Sequence, residues 1–572
     1  MNRNDDPGFG QQTVTPVAHS PARKTPQKPG RRQFVLSSAL ASGGLALGCH
    51  LPAGAQAGGG APEVNAWVVI KPDDTVVIRI ARSEMGQGTL TGLAQLVAEE
   101  LECAWSRVTT EYPTPGQNLA RKRIWGNFST GGSRGIRESQ DYVRKGGAAA
   151  RMMLVQAAAN QWSVPVAQCV AADSVITHTP SGRRLTYGQV ASAAAAIAVP
   201  ENPPLKDPKT WKIAGKPLPR LDTADKVNGR QIYGADLKLP GMLNAAIKDC
   251  PVFGGKVMSF DAAKVQSMAG VRKVVQVGSS AVAVVADTWW QAKTALDALP
   301  ITWDNGPNAK VNSEAIAQTL RAGLDAPEAF VGNQSGDAPA AIRGAARQVE
   351  AVYGYPYQNH ACMEPMNATA RWTPERCEVW TPTQNGEASL AATAAASGLP
   401  IAQCEVYKIH LGGGFGRRGF QDWIPQVVAI AKTMPGTPVK LLWSREEDML
   451  HGRFHPVTQA KMRAGLDAQG NVVGLHMRLS GQSILASVAP QNLRNGADMV
   501  AFQGLTPSGD GAIGYGFANL LVDHAMRNPH VPPGFWRGVN HNQNAIYLEC
   551  FIDELAHAAG VDPLEYRRRL MS

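Results

Sequence analysis

The run Leu411-Gly412-Gly413-Gly414-Phe415-Gly416-Arg417-Arg418 is the stretch of this sequence best suited to chemistry. Four glycines around one phenylalanine leave a row of backbone N–H groups that no side chain shields, and such concave arrays bind anions and oxygens. The run follows an alternating, strand-like segment, Val406 to Leu411, and precedes a helix-like one, Trp423 to Met434. Gly414-x-Gly416-x-x-Gly419 also fits the dinucleotide fingerprint, with Pro438 to Trp443 as second strand of a βαβ unit. Acidic residues follow only at Glu446 and Glu447, late for a ribose contact. A lone fingerprint is weak, and a glycine-rich turn without ligand competes with it on equal terms.

Other residues break the tie. Gln384, in Thr383-Gln384, precedes Phe415 by thirty-one positions, and Met363-Glu364-Pro365-Met366-Asn367-Ala368 lies upstream of both. Phe535-Trp536-Arg537-Gly538 is followed by Gln543, and Glu84-Met85-Gly86-Gln87-Gly88 stands near the start. Together these motifs resemble the molybdopterin-binding large subunits of the xanthine dehydrogenase and aldehyde oxidase family. The nearest branch is that of isoquinoline 1-oxidoreductase beta subunits and membrane-associated aldehyde dehydrogenases, which carry Met-Gly-Gln-Gly at the N-terminal end. The resemblance runs from about Ala66 to Ser572. Each motif alone is weak; five in order are strong.

The resemblance implies an α+β, multidomain molybdenum hydroxylase large-subunit fold with an α/β hammerhead domain. It implies molybdenum held by a pterin dithiolene, usually extended by cytosine dinucleotide. Phe415 would offer its backbone N–H, and Gln384 its side-chain amide, to an oxygen of that group. Gly413, Gly414, Gly416 and Arg417 would extend the nest, with Arg417 or Arg418 pairing with a pyrophosphate. Trp536 and Arg537 would stand beside the metal and Gln543 against the pterin, whereas in isolation a surface Trp–Arg stack explains the pair. Gly86, Gln87, Gly88 and Ser133 would hold the pterin and its phosphates from the other side. The implied reaction is hydroxylation of an electron-poor carbon, in an N-heterocycle or an aldehyde, with water as oxygen source. Purine-oxidising members carry a glutamate four positions after the loop phenylalanine; here that position is Gly419, which argues against purines.

The elements that must position these residues are legible from pattern. Ala66 to Ile70 and Thr75 to Ile80 read as strands around the turn Pro72-Asp73-Asp74. Leu90, Leu93, Leu96, Val97 and Leu101 recur at helical spacing, so Thr89 to Glu102 is an amphipathic helix. Gly86-Gln87-Gly88 therefore stands at a helix N-terminus, where free amides favour phosphate. Ser129-Thr130-Gly131-Gly132-Ser133 makes a similar entry to an Ala-rich helix, Gln140 to Asn160. Plain helix capping is the competing reading for both. The boundaries read as an N-terminal molybdopterin-binding segment at 62–200, a proline-rich linker at 200–217, the hammerhead at 215–305, a polar bridge from 305 to about 345, and the main cofactor domain at 345–572.

Residues 1–57 have the layout of a twin-arginine export signal: a polar leader, Arg31-Arg32-Gln33-Phe34-Val35-Leu36, a short apolar run, and Ala55-Gln56-Ala57. This predicts a periplasmic destination, reached with the cofactor already loaded. Removing the segment lowers the net charge from +10 to +6, and no basic cluster alternates with aromatics, which argues against nucleic acid. No apolar stretch reaches the length needed to span a bilayer. The eight cysteines include no C-x-x-C or other cluster-binding spacing. Electrons would therefore leave through a small two-cluster 2Fe-2S subunit and a membrane-bound cytochrome c subunit, the partners that the resemblance implies beside a small-molecule substrate. His451 and His455 stand four apart without a third ligand at suitable spacing, which points to ordinary polar residues.

One expectation concerns the base. In the family it is a glutamate of a Gly-Glu motif beyond the region matching Phe535 to Ser572, and this sequence ends at Arg567-Arg568-Arg569-Leu570-Met571-Ser572. The reading is a C-terminally incomplete subunit, inactive alone. The only Gly-Glu pair, Gly386-Glu387, is misplaced relative to the other motifs.

Overall fold

The structure is a computed structural model that describes residues 61–571. The export signal lies outside the described residues, which form one unit. Among the described residues, no helix is long and apolar enough to cross a membrane.

The N-terminal lobe opens with a four-stranded sheet, Glu63–Asn65, Val68–Ile70, Val76–Arg79 and Val108–Glu111, in sequence order. The third and fourth strands are parallel, joined through the helix Thr89–Leu101. That helix packs on Gln140–Trp162, and small residues set the approach: a Cβ on Gly147 would lie 2.4 Å from the Val97 carbonyl oxygen. Trp125, Phe128 and Tyr187, all fully buried, fill the core beneath. The 200–217 segment is not a loose linker. Glu99 accepts backbone N–H bonds from Lys212 (2.9 Å), Ile213 (2.6 Å) and Ala214 (3.1 Å), and its carboxylate pairs with Lys206.

The middle of the molecule is a seven-stranded mixed sheet in the order Val271–Val277, Ala281–Ala286, Leu243–Asp249, Val439–Leu442, Asn367–Trp372, Cys377–Thr381, Cys404–Lys408. Its first three strands come from residues 215–305 and its last four from residues 345–572. Leu243–Asp249 pairs in parallel with Val439–Leu442, so hydrogen bonds cross the boundary read from sequence. The apolar run Ala281–Ala286 is buried along its whole length. Ala281, Ala283 and Val285 face the core around Trp423, and Val282, Val284 and Ala286 the core around Leu296. A continuous apolar strand is what burial on both faces requires.

A third sheet runs Phe330–Ser335, Leu520–Met526, Val472–Gly481, Thr458–Leu466, Arg347–Tyr355, with the helix His541–Ala559 packed on it. Here the 305–345 bridge is corrected. It holds the helices Ser313–Gly323 and Ala338–Arg343, and Phe330–Ser335 is an edge strand of this sheet. Polar, Ala- and Gly-rich composition conceals an edge strand because only one of its flanks is paired and little of it is buried.

Candidate functional site

The glycine loop leaves the last strand of the central sheet, at Lys408, and its geometry is set by a buried carboxylate. Glu364 accepts from Gly412 N (2.9 Å), Ala235 N (3.0 Å), the Asn367 side chain (3.0 Å) and the Arg418 guanidinium (3.0 Å). The chain then turns through positive φ at Gly413 (97°), Phe415 (52°) and Gly416 (104°). A non-glycine residue in that region is uncommon and persists only where its surroundings fix it. Two contacts fix it here. Gly416 N donates to Gln384 Oε1 at 3.0 Å, and a Cβ on Gly416 would lie 1.9 Å from the Phe535 carbonyl oxygen. The amides of Gly413, Gly414 and Phe415 have no partner among the described residues, and the Phe415 ring is 38% exposed.

Gln384 is buried between the two halves of the chain. Its Nε2 donates to Thr130 O (2.8 Å), and Thr130 N donates back to Gln384 O (2.7 Å). Its backbone N–H reaches Arg418 O at 2.9 Å. One side-chain N–H of Gln384 is left over. The Ser83 hydroxyl donates to Thr383 O (2.7 Å) and Leu411 N to Glu84 O (3.1 Å). A Cβ on Gly414 would come within 2.7 Å of Gln384 Oε1 and 2.8 Å of Met85 Sδ. The Met85–Gly88 loop, Gln384 and the glycine loop thus converge, as their types suggested.

Two expected anion contacts are corrected. At the Thr89–Leu101 helix, Gly86 N (2.8 Å) and Gly88 N (3.1 Å) donate to Glu84 Oε1, and Leu90 N (3.1 Å) donates to Glu84 Oε2. The carboxylate, with Arg220 as counter-ion at 3.2 Å, caps the helix and takes the amides that a phosphate there would use. Gln87 folds back on the same loop through Met85 N and Ser83 O. Arg417 and Arg418 are also unavailable. Arg417 is fully buried, bidentate with Asp422 (2.8 and 2.7 Å) and between the rings of Trp423 and Trp443. Arg418 binds Glu364, Gly413 O and Pro382 O. Ser133, left-handed at φ 56°, is exposed and makes no side-chain cap to the helix it precedes. Beside it lies an open cleft of about 570 Å³ lined by Arg123, Asn127, Ser129, Arg134, Asn385 and Glu387.

The loop Phe535–Val539 closes the site from the third side. Phe535 stacks on Phe420 at 6.4 Å between centroids. Trp536 Nε1 and Gln543 Oε1 are buried without a partner, and Arg537 is exposed. Buried polar atoms are ordinarily bonded, and these two, like the three bare amides, have no hydrogen-bond partner among the described residues. His451 and His455 go elsewhere: His451 to Glu447 (3.1 Å) and Cys250 O (2.9 Å), His455 to Pro456 O and Val539 O (both 3.0 Å). The seven described cysteines are free thiols.

The dinucleotide alternative fails on topology. The helix begins at Trp423, four residues past Gly419, so the glycine amides are not its N-terminus. The flanking strands Cys404–Lys408 and Val439–Leu442 are separated in the sheet by two others.

The molybdopterin cofactor-binding domain matches twice, at residues 27–237 and 324–571. The chain belongs to the molybdopterin-binding large subunits of the xanthine oxidase family. It is 28% identical over 534 residues to the membrane-bound aldehyde dehydrogenase [pyrroloquinoline-quinone] of Gluconacetobacter polyoxogenes, covering 90% of this chain and 68% of that one. It is 27% identical over 602 residues to the isoquinoline 1-oxidoreductase subunit beta of Brevundimonas diminuta, covering 94% and 74%. Quinoline 2-oxidoreductase from Pseudomonas putida 86 shares the fold, with TM-score 0.50 and 21% identity over 62% of this chain and 50% of that one. The chain thus spans about half the length of that solved chain.

Proposed function

We propose that this chain is the cofactor-binding subunit of a molybdenum-dependent oxidoreductase that hydroxylates an N-heterocycle or oxidises an aldehyde, with water as oxygen source. The observation that carries the reading is the row of bare Gly413–Phe415 amides in a loop whose Gly416 seats against Phe535 O, next to Trp536, whose indole N–H is buried and unpaired. When bound, the molybdenum-pterin group supplies the two-electron oxidation of carbon. The chain's own residues hold and orient. Phe415 N–H and the spare N–H of Gln384 would donate to an oxygen of the group. Gln543 would accept from the pterin, and Trp536 and Arg537 would line the mouth. The half-exposed Phe415 ring offers a flat apolar wall to a planar substrate. Glu84 and Glu364 are saturated by backbone amides and arginine, so neither is free to serve as base. Gly419, with open space where a Cβ would project, brings no carboxylate toward a purine.

The cleft beside Ser133 has Arg123 and Arg134 on its rim, paired with Glu387 (2.7 Å) and Glu138 (3.7 Å), and the phosphates of a cytosine dinucleotide extension would bind there by displacing those carboxylates. Electron exit through a 2Fe-2S partner, and onward to a membrane-bound cytochrome c, is supported by the lack of clustered cysteines in the sequence. Periplasmic export is supported by Arg31-Arg32 and the apolar run after it.

Metal and pterin analysis of the chain purified from a molybdenum-replete host tests the assignment. Molybdenum near one per chain, with a cytosine nucleotide released on acid treatment, is expected. No molybdenum, together with tight binding of a nicotinamide dinucleotide, overturns it. Arg31→Lys with Arg32→Lys should trap precursor in the cytoplasm; normal export of that variant rules out the twin-arginine route.

A further inference from the structure

Phe535–Val539 belongs to no helix or strand, yet its backbone is held in a costly shape. Gly538 has φ 88° and Val539 φ 51°. Val539 is the one β-branched residue among the non-glycine positions of positive φ in the described chain. That conformation is a genuine outlier for a branched side chain, and such strain persists only where neighbours over-determine it. The turn closes on itself through Val539 N and Trp536 O at 2.6 Å.

The neighbours are two histidines that no sequence motif singled out for this loop. His360, 5% exposed, donates from Nε2 to Phe535 O at 2.8 Å. His455, fully buried, directs its Nε2 to Val539 O at 3.0 Å. The carbonyl that His360 holds is the one seated against Gly416, whose own N–H is taken by Gln384. Trp536, between the two held carbonyls, stands edge-on to His455 at 5.8 Å between centroids, its indole N–H unpaired. His360 Nδ1 has no partner, so the neutral Nε2–H tautomer is the form that fits. Burial keeps it neutral by pushing its pKa down to about 4. Burial likewise lowers that of His455, and a neutral ring has one N–H for its two facing carbonyls, Pro456 O and Val539 O, of which the Nε2–H tautomer serves Val539.

We propose that His360 and His455 are positioning residues: their ring N–H groups hold the carbonyls at the two ends of Phe535–Val539 and thereby keep the Trp536 indole N–H and the Arg537 guanidinium aimed at the bound cofactor. The inference rests on the reading of this loop as a wall of the cofactor site, and it goes further in naming what shapes that wall.

The test compares His360→Phe with His360→Gln, and His455→Phe with His455→Gln, in the full chain loaded in a molybdenum-replete host. Glutamine places an amide N–H near the lost Nε2–H; phenylalanine keeps the ring and removes the donor. The readouts are molybdenum and pterin per chain after dialysis, and the thermal midpoint. Each phenylalanine variant should lose cofactor retention by about tenfold, as removal of a partner behind a cofactor contact does, and each glutamine variant should recover most of it at a similar midpoint. Equal retention in all four overturns the proposal, and so does equal loss in both members of a pair, which marks the histidines as packing alone. A wild-type chain without molybdenum would instead overturn the functional reading. Should the phenylalanine variants not fold, ¹⁵N-histidine NMR of the wild-type chain decides: His360 must appear as the neutral Nε2–H tautomer from pH 6 to 8, and an Nδ1–H or doubly protonated ring there overturns its part.

Discussion

Both glycine loops of the site are organised by a buried carboxylate, but the two carboxylates act on different amides. Glu84 takes Gly86, Gly88 and Leu90, which are the donors that an anion at that helix end would have used. Glu364 takes Gly412 and Arg418, at the two sides of its loop, and leaves Gly413, Gly414 and Phe415 bare between them. One loop is therefore filled by its own chain and serves as a buttress, presenting Met85 to Gly414. The other is stretched open. Glycine content alone does not distinguish a ligand cradle from a capped turn; the position of the nearest acid does.

The sharpest way to break the contrast is Glu364→Ala. It strips the buried Arg418 of its counter-charge and two backbone amides of their acceptor, which should cost about 3–5 kcal/mol in chemical denaturation. A loss under about 1 kcal/mol would mean that water replaces the carboxylate and the loop is not built on it.

Lys408 joins the two loops, since its ammonium, fully buried beneath Tyr112 and Phe128, donates to Ala81 O. Burial, with Arg82 nearby, pushes its pKa down to about 7 from 10.5. Between those values the unfolded chain holds a proton that the folded one has lost, so this group makes stability rise with pH from about 7 to 10.5, with a constant penalty below. Lys408→Met should be the more stable protein near neutral pH and should lack that rise. Parallel stability–pH curves for variant and wild type would show that the ammonium is not desolvated as drawn.

Glu84→Ala should cost less than the Glu364 change, about 1–2 kcal/mol, because Gly86 is exposed and solvent can reach its amide. A cost equal to that of Glu364→Ala would erase the distinction between buttress and cradle. The smallest stability effect is expected for Gln384→Ala, about 1 kcal/mol, yet cofactor retention or turnover should fall, because Gly416 N loses its acceptor. Unchanged retention and turnover remove Gln384 from the site.

Much of this was legible in the residues. Helical spacing placed Thr89–Leu101 and Trp423–Lys432 within a residue or two, and the alternating runs from Ala66 and Thr75 placed the strands Val68–Ile70 and Val76–Arg79. Family-type motifs singled out Gln384 and the glycine loop, which meet through Gly416 N, and the Phe535 segment, whose carbonyl seats against Gly416. What stayed hidden were partnerships set by tertiary contact. Nothing local in His360 or His455 says that a carbonyl 175 or 84 residues away will be its acceptor. The arginines of the glycine loop misled because a cation beside a nest looks like an anion site until Asp422 and Glu364 are seen to claim it. Glu84 is the exception. An acid just before a helix start is a local capping signal, and giving it more weight than the glycines would have predicted the filled loop.

The bridge made by Gln384 has a temporal meaning as well. Its side chain spans Thr130, made early in synthesis, and Gly416, made late, across 254 and 32 residues of chain. The open loop cannot take its final form until the first lobe has folded and waited for it, and local segments fold faster than such distant pairings. The cradle is therefore among the last features to mature, so a chain that holds its cofactor has, by that fact, finished folding at both ends of the span.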